Sequence, residues 1–325
     1  MMKLNKIWLA IAIFILEMHS SIVFAQYPDR PIKMVVAYPP GGGTDIIARL
    51  IAPELGKQLG QNITIENRGG ASGNIGTDAV VHSPPNGYTL LMGNIGPNAI
   101  NVSIFKKMPY NPEKDLMPIA LVGITPNVLI TAPEFPIKNI SDLIKLAKSQ
   151  PGRINFPSAG NGTSSHLSGV LMNSMANIDM VHIPYKGNGP AYNDLIGGQV
   201  SLMFPNIATA LPYVKAGKLK ALAVTSKFRS KIAPELPTMT EAGLEGYELS
   251  SWFGMLAPLD TPNAIVQSLH QEISKIYQLQ EIREKLISQG VEPLASSPTE
   301  FGHQINSEIE YWSKTFKSKN LKIDP

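Results

Sequence analysis

The sequence predicts an α/β fold of two lobes with a ligand cleft between them. Strand-like and helix-like segments alternate along most of the chain, the signature of a largely parallel sheet. The alternation runs through two successive series. Each series holds one glycine-rich turn set between a strand and a helix: "YPPGGGTDI" at residues 38–46 and "FPSAGNGTSSHL" at residues 156–167.

In order, "IKMVVAY" is a β-branched strand, and "TDIIARLIAPELGKQLG" then sets Ile46, Ile47, Leu50 and Ile51 on one helical face, stopping at Gly60. "NITIEN" is a strand, "GNIGTDAVVHS" a short helix and "YTLLMGN" a strand. "LMPIALVGITPNVLITAP" reads as two strands with little polar material between them, which suits a crossing between lobes. The second series opens on "SDLIKLAKSQPG", a helix with Ser141 as its expected cap. It continues as strand "RINFPSAG", helix "TSSHLSGVLMNSMA", strand "MVHIPYKG", helix "GPAYNDLIGGQ", strand "VSLMFPN", helix "IATALPYVKAGK" and strand "LKALAVTS". After "SWFGMLAP" long helices return. Thr261 followed by Pro262 reads as a cap and first helical position, with Ile265, Leu269, Ile273 and Ile276 as the buried stripe. "SPTE" at residues 297–300 is a capping box. The expected division is residues 27–126 plus 252–325 for one lobe and 127–251 for the other. Trp252 and Phe253 are either core or hinge lining.

Composition narrows the function. With 325 residues, 43% hydrophobic and 16% charged, the chain has the make-up of an ordinary globular protein with a sizeable core. The first 26 residues read as a secretory signal: Lys3 and Lys6, an apolar run from Ile7 to Leu16, and Val23 and Ala25 before Gln26. Cleavage near Ala25 and Gln26 lowers the formal charge from +3 to +2 and leaves no basic block suited to nucleic acid. No second stretch is apolar enough for a membrane helix, so an exported, unanchored protein is expected. There is no cysteine, which excludes disulfides, a thiol nucleophile, a cysteine–zinc site and a lipidated cysteine.

The two glycine loops are the candidate site. Ligands in open α/β sheets gather at the carboxyl ends of strands, and a helix N-terminus there favours an anion. Desolvating a carboxylate costs several kcal/mol. One helix end returns about 0.3–1 kcal/mol and each charge-assisted hydrogen bond about 1.5–3 kcal/mol. Several donors are therefore needed, and the stretches from Gly41 to Thr44 and from Ser158 to Ser165 can supply them without an arginine. Asp45 either complements the helix dipole or receives an ammonium, hydroxyl or water.

Other chemistries fail on spacing. "GNGTSS" lacks the third glycine of a dinucleotide loop, and its next strand ends in Tyr185 and Lys186 instead of an acid. No nucleophile elbow is present, and Ser165 and His166, adjacent on a helix, do not face each other. His82, His166 and His182 lack metal-ligand spacing, and Asp78, Asp179 and Asp194 read as solvated faces. No cofactor and no metal is expected.

Together, "YPDRPIKMVVAYPPGGGTDIIAR", "ENRGGASGNIGT", "GYTLL", "SAGNGTSSHL", "IPYKGNGPA", "AGKLKALAVTS", "LPTMTEAG" and "SWFGMLAP" resemble the Bug family of tripartite tricarboxylate transporter receptors. The resemblance implies a two-lobed periplasmic-binding-protein (type II) fold, a periplasmic location and a small carboxylate ligand. It implies a membrane permease of one large and one small subunit as partner; the receptor itself is expected to be a monomer. Carried over residue by residue, the ligand contacts it implies are Tyr38, Gly41, Gly42, Gly43, Thr44 and Asp45 from the first loop. Ser158, Ala159, Gly160, Asn161, Gly162, Thr163, Ser164 and His166 follow from the second, with Tyr185 and Lys186 nearby. Val170, Pro205 and Asn86 depart from the family's usual residues and bear on ligand choice. A sensory receptor for a membrane kinase and a secreted enzyme acting on carboxylates, with Asp45 or His166 as acid or base, are the alternatives.

Overall fold

The computed structural model describes residues 27–318. The signal-like segment lies outside the described residues. A six-stranded sheet is built from β1 (Ile32–Val36), β2 (Ile63–Asn67), β3 (Thr89–Asn94), β4 (Leu116–Pro126), β10 (Ser250–Pro258) and β11 (Glu292–Pro293), in the order β11-β4-β10-β3-β1-β2. β1 runs parallel to both β2 and β3, whereas β10 is antiparallel to its neighbours β3 and β4. The middle of the chain makes two smaller sheets. One has β5 (Val128–Thr131) between β8 (Leu202–Met203) and β9 (Lys220–Val224), all antiparallel; the other pairs β6 (Asn155–Ser158) with β7 (Val181–Pro184) in parallel.

The six-stranded sheet is thus mixed and one of the small sheets wholly antiparallel, which corrects the expectation of a largely parallel arrangement. In the large sheet the returning strand β10 enters between β3 and β4 and pairs Ser250 with Pro126, so both chain crossings run side by side in opposite directions. The β4–β5 crossing turns on Asn127 alone. Its N–H donates to Thr225 Oγ1 (2.9 Å), and Thr225 Oγ1 donates to Leu249 O (2.6 Å), tying the outgoing and returning chains together.

Helices cover the sheets as the apolar periods require. α1 (Gly43–Leu59) buries Ile47, Ala48, Ile51 and Leu55 and ends on a left-handed Gly60. α2 (Asn74–Val81) and the short α3 (Asn101–Ile104) flank β3, the latter preceded by a π-helical turn. The second half adds α4 (Ile140–Ser149), α5 (Ser164–Ala176), α6 (Asn188–Ile196) and α7 (Ile207–Lys215), and the C-terminal third adds α8 (Asn263–Gln278), α9 (Gln280–Ser288) and α10 (Pro298–Ser318). Leu269, Ile273 and Ile276 of α8 are buried as the stripe predicts, with Val266 replacing the half-buried Ile265. Fully burying each such side chain contributes about 1.5–3 kcal/mol.

Two caps differ from expectation. Asn139, not Ser141, accepts from Asp142 N (2.9 Å) at the start of α4, because its extended backbone puts its side chain over the first turn. Thr261 donates its hydroxyl back to Pro258 O (2.7 Å) and leaves Pro262 at the cap of α8. The capping box of α10 forms, with Glu300 N donating to Ser297 Oγ (3.2 Å) and Ser297 N to Glu300 Oε2 (2.8 Å). Trp252 and Phe253 are both buried, the first edge-on to Phe301. One apolar cluster joins the large sheet to the middle of the chain beneath the crossings, through Val35, Leu91, Leu129, Phe156, Leu202 and Trp252.

Candidate functional site

Loop 1, residues 37–43, leaves the carboxyl end of β1, where β2 and β3 flank it on either side. β2 ends at Asn67 and β3 at Asn94, so three strand ends lie side by side at this edge of the sheet. Gly41 turns the chain with φ +83°, a left-handed conformation that disfavours any side chain. Gly42 caps α1 without a side-chain bond, leaving the amides of the first turn free of intrahelical acceptors. Gly43 allows close approach: a Cβ there would lie 3.2 Å from the Phe253 ring and 3.3 Å from Asn206 Oδ1.

Asp45 braces this loop from below. It is buried, and it accepts from Gly41 N (2.9 Å), Asn67 Nδ2 (2.9 Å) and Arg49 Nε (3.0 Å). Burial opposes its charge, but the bonds from Arg49, Gly41 and Asn67 outweigh it and hold the carboxyl below the usual range. Thr44, also buried, accepts from Asn94 Nδ2 (3.1 Å). Tyr38 OH lies 3.2 Å from both Asn94 Oδ1 and Ser72 O; burial pushes its phenol up to about 12, so it serves as a neutral donor.

Loop 2, residues 159–163, leaves β6 and enters α5. Thr163 caps the helix through His166 N (3.4 Å) and donates its hydroxyl to Gly160 O (2.7 Å). Ser158 is fully buried; its Oγ accepts from Gly160 N (3.1 Å), donates to Gly160 O (2.9 Å) and meets His182 Nε2 (2.7 Å). His166 Nδ1 accepts from Gly162 N (3.1 Å), and its ring stacks on His182 with centroids 3.6 Å apart. Burial, and for His166 also the neighbouring ring, lowers the two imidazoles to about 3 for His166 and about 4 for His182, so both are neutral at pH 7. Ala159, Gly160, Asn161 and Ser164 are half-buried at the turn's surface. Tyr185 joins the loop by its backbone, donating from N to Ser158 O (3.0 Å), while its hydroxyl is turned to Asp194. Lys186 is exposed.

Two bridges bring the loops together. At one side Ser72 Oγ donates to Asn161 O, and Tyr38 OH and Asn101 Nδ2 both donate to Ser72 O (3.2 Å each). Ser72 and Ala71 hold left-handed backbone at φ 56° and 44° without being glycine. At the other side Asn206 Nδ2 donates to Asn127 Oδ1 (2.8 Å), which also receives Ser164 Oγ (3.4 Å). Asn206 abuts Gly43 and Asn127 sits on the crossing, so loop 1, loop 2 and the crossing share one amide chain.

Sequence reasoning missed Ser72, Asn94, Asn127, His182 and Asn206 as members of this site. The "RGGASGN" stretch and the asparagine ending "YTLLMGN" were the available signals. Among the described residues no cluster of three metal-ligating side chains occurs, and no helix is long and apolar enough to cross a membrane.

The Tripartite tricarboxylate transporter family receptor profile matches residues 47–321. Protein BugT of Bordetella pertussis is 35% identical over 325 residues, covering 99% of this chain and 100% of BugT. Rpa4515 of R. palustris, solved with adipate, superposes with a TM-score of 0.87 at 35% identity, covering 91% of this chain and 99% of that one. MatC of Rhodopseudomonas palustris, solved with bound malate, gives 0.83 at 35% identity, covering 89% and 99%. The fold is therefore the two-lobed periplasmic-binding-protein type. The chain belongs to the Bug family of tripartite tricarboxylate transporter receptors.

Proposed function

We propose that this chain is an exported periplasmic receptor that closes over a small carboxylate and passes it to a membrane permease of one large and one small subunit. The observation that carries the reading is the pair of glycine loops, each opening a helix, bridged by Ser72–Asn161 and by Asn206–Asn127–Ser164. Residues 27–126 with 252–325 form one lobe and residues 127–251 the other. The guest's carboxylate takes amides from residues 42–44 and from Ala159, Asn161 and Ser164, with the hydroxyls of Tyr38, Thr44 and Ser164 at its rim. Asp45, Ser158 and His166 brace the turns that carry those amides, by accepting from Gly41, Gly160 and Gly162, and do not face the guest. The adipate and malate found in two relatives support a dicarboxylate as the first class to test.

An enzyme is the weaker reading. Ser158 and His182 make the nearest approach to a nucleophile and base. However, Ser158 is fully buried, and its oxygen already holds both backbone groups of Gly160. Thermal unfolding with mono-, di- and tricarboxylates and aromatic acids tests the receptor. A ligand at 100 times its Kd adds about 2.7 kcal/mol to stability, which reads as a melting shift of several degrees. No shift with any of them at millimolar concentration, or turnover of one of them, overturns it.

A further inference from the structure

We propose that His182 is a positioning residue for the binding loop: stacked on His166, it holds Ser158, and through Ser158 the Gly160 peptide, in the shape that receives the carboxylate. This rests on the receptor reading and adds to it a residue that touches no ligand.

Hydrogen-bond valence carries the assignment. Ser158 Oγ has one proton and two lone pairs. Gly160 N–H fills one lone pair, and His182 Nε2, as donor or acceptor according to its tautomer, completes the bonding of the hydroxyl beside Gly160 O. The second ring has the complementary duty: His166 Nδ1 accepts Gly162 N–H and so carries its own proton on Nε2. Gly160 and Gly162 hold φ of +134° and +74°, and each is fixed by one of the two rings. The task of His166 requires a neutral imidazole. A proton on His166 Nδ1 would face the Gly162 N–H, and two imidazolium rings 3.6 Å apart would repel.

The surroundings keep the pair neutral. Phe156 of β6 lies 5.2 Å from the His182 ring and 6.3 Å from the His166 ring. The remaining contacts are Ser158 and the loop's own amides. Among the described residues, burial and the charge of the neighbouring His182 act on His166, and burial alone on His182; along β7 and α6, Asp194 accepts from Tyr185 and Lys186 is exposed.

The test separates bonding from packing. His182→Phe keeps a stacked ring and loses the Nε2 hydrogen bond, whereas His182→Gln sets an amide near the Nε2 position and loses the ring. Calorimetric titration uses adipate, malate or citrate, whichever gives the largest thermal shift. We expect the Phe variant to bind more than tenfold more weakly and the Gln variant to stay within about threefold of the parent. Ser158→Ala is the second variant, should the Phe protein not fold. It should weaken binding as strongly as His182→Phe, and the double variant should lose no more than either alone. Amide exchange of Gly160 in ligand-free protein is read in parallel and should quicken in the Phe and Ala variants only. A Phe variant that binds like the parent, a Gln variant as weak as Phe, or an unmoved Gly160 amide overturns the positioning role. If the parent binds no carboxylate the receptor reading fails instead, and the exchange measurement still decides whether His182 holds the loop.

Discussion

Loop 1 is braced by a charge and loop 2 by none. Beneath the first, the Asp45 carboxylate gathers Gly41, Asn67 and Arg49; beneath the second, two neutral imidazoles hold Gly160, through Ser158, and Gly162. Both leave the first-turn amides of a helix pointing outward. The difference shows that a donor-lined turn needs its own backbone groups anchored from behind, and that the sign of the anchor is free. A buried carboxylate can serve as this anchor because Arg49 and two further N–H donors, from Gly41 and Asn67, neutralise it locally.

Acid should pull the two braces apart, with the largest effect on loop 2. The unfolded chain protonates its histidines below about pH 6.5, whereas folded His182 and His166 titrate at about 4 and about 3. The unfolded state thus binds more protons across that interval. Stability is fully present above pH 6.5 and falls as the pH drops towards 4. Asp45, with its pKa lowered, contributes in full above the ordinary carboxylate range and loses that contribution only at lower pH. Amide exchange should therefore show Gly162 loosening before Gly41 as acid is added. Simultaneous loosening would erase the distinction.

Next in size is Asp45→Ala, which strands the Gly41 N–H and the Asn67 amide and removes the partner of Arg49. Urea unfolding should register a loss of about 2–3 kcal/mol, and the carboxylate-induced thermal shift should vanish with it. A variant that keeps both its stability and its shift would show the charge to be dispensable. The glycines give the smallest contrast. Gly41→Ala meets only backbone strain, since nothing lies within 4 Å of the added Cβ, and should cost about 1–2 kcal/mol. Gly162→Ala adds to similar strain a Cβ only 2.8 Å from Asn101 Oδ1, across the contact between the two halves. It should cost more than Gly41→Ala in the same urea assay and also weaken ligand binding. Equal costs would mean that the Gly162 contact carries no weight.

Much of this was legible in the sequence because it is local. The helices from Gly43 and Ser164, the strands before them and the box at Ser297 and Glu300 follow from periodicity and caps within a few residues. The supporting cast was not legible, because its partners are distant in the chain. Ser72 meets Asn161 across 89 positions, Asn206 meets Asn127 across 79 and His182 meets Ser158 across 24. No spacing rule reaches that far. His166, which resemblance offers as a ligand contact, is buried and stacked on His182, a partner 16 positions away that no local spacing reveals. Nor does an apolar run such as "SWFGMLAP" carry a direction, which is why the antiparallel entry of β10 was unforeseen. Asn139 displaced Ser141 as a cap for a similar reason: both are good capping types two residues apart, and only the backbone chooses.

The paired crossings have a mechanical meaning. Outgoing Pro126 and incoming Ser250 are bonded neighbours, and Thr225 laces Asn127 to Leu249 just beyond them. Two independent tethers would let the halves twist, slide and swing separately. A stitched ribbon permits bending about its width far more readily than any other displacement, like the spine of a book. Occupancy of the crevice would then be expressed along a single coordinate, which another protein can read from the outside without ever meeting the guest.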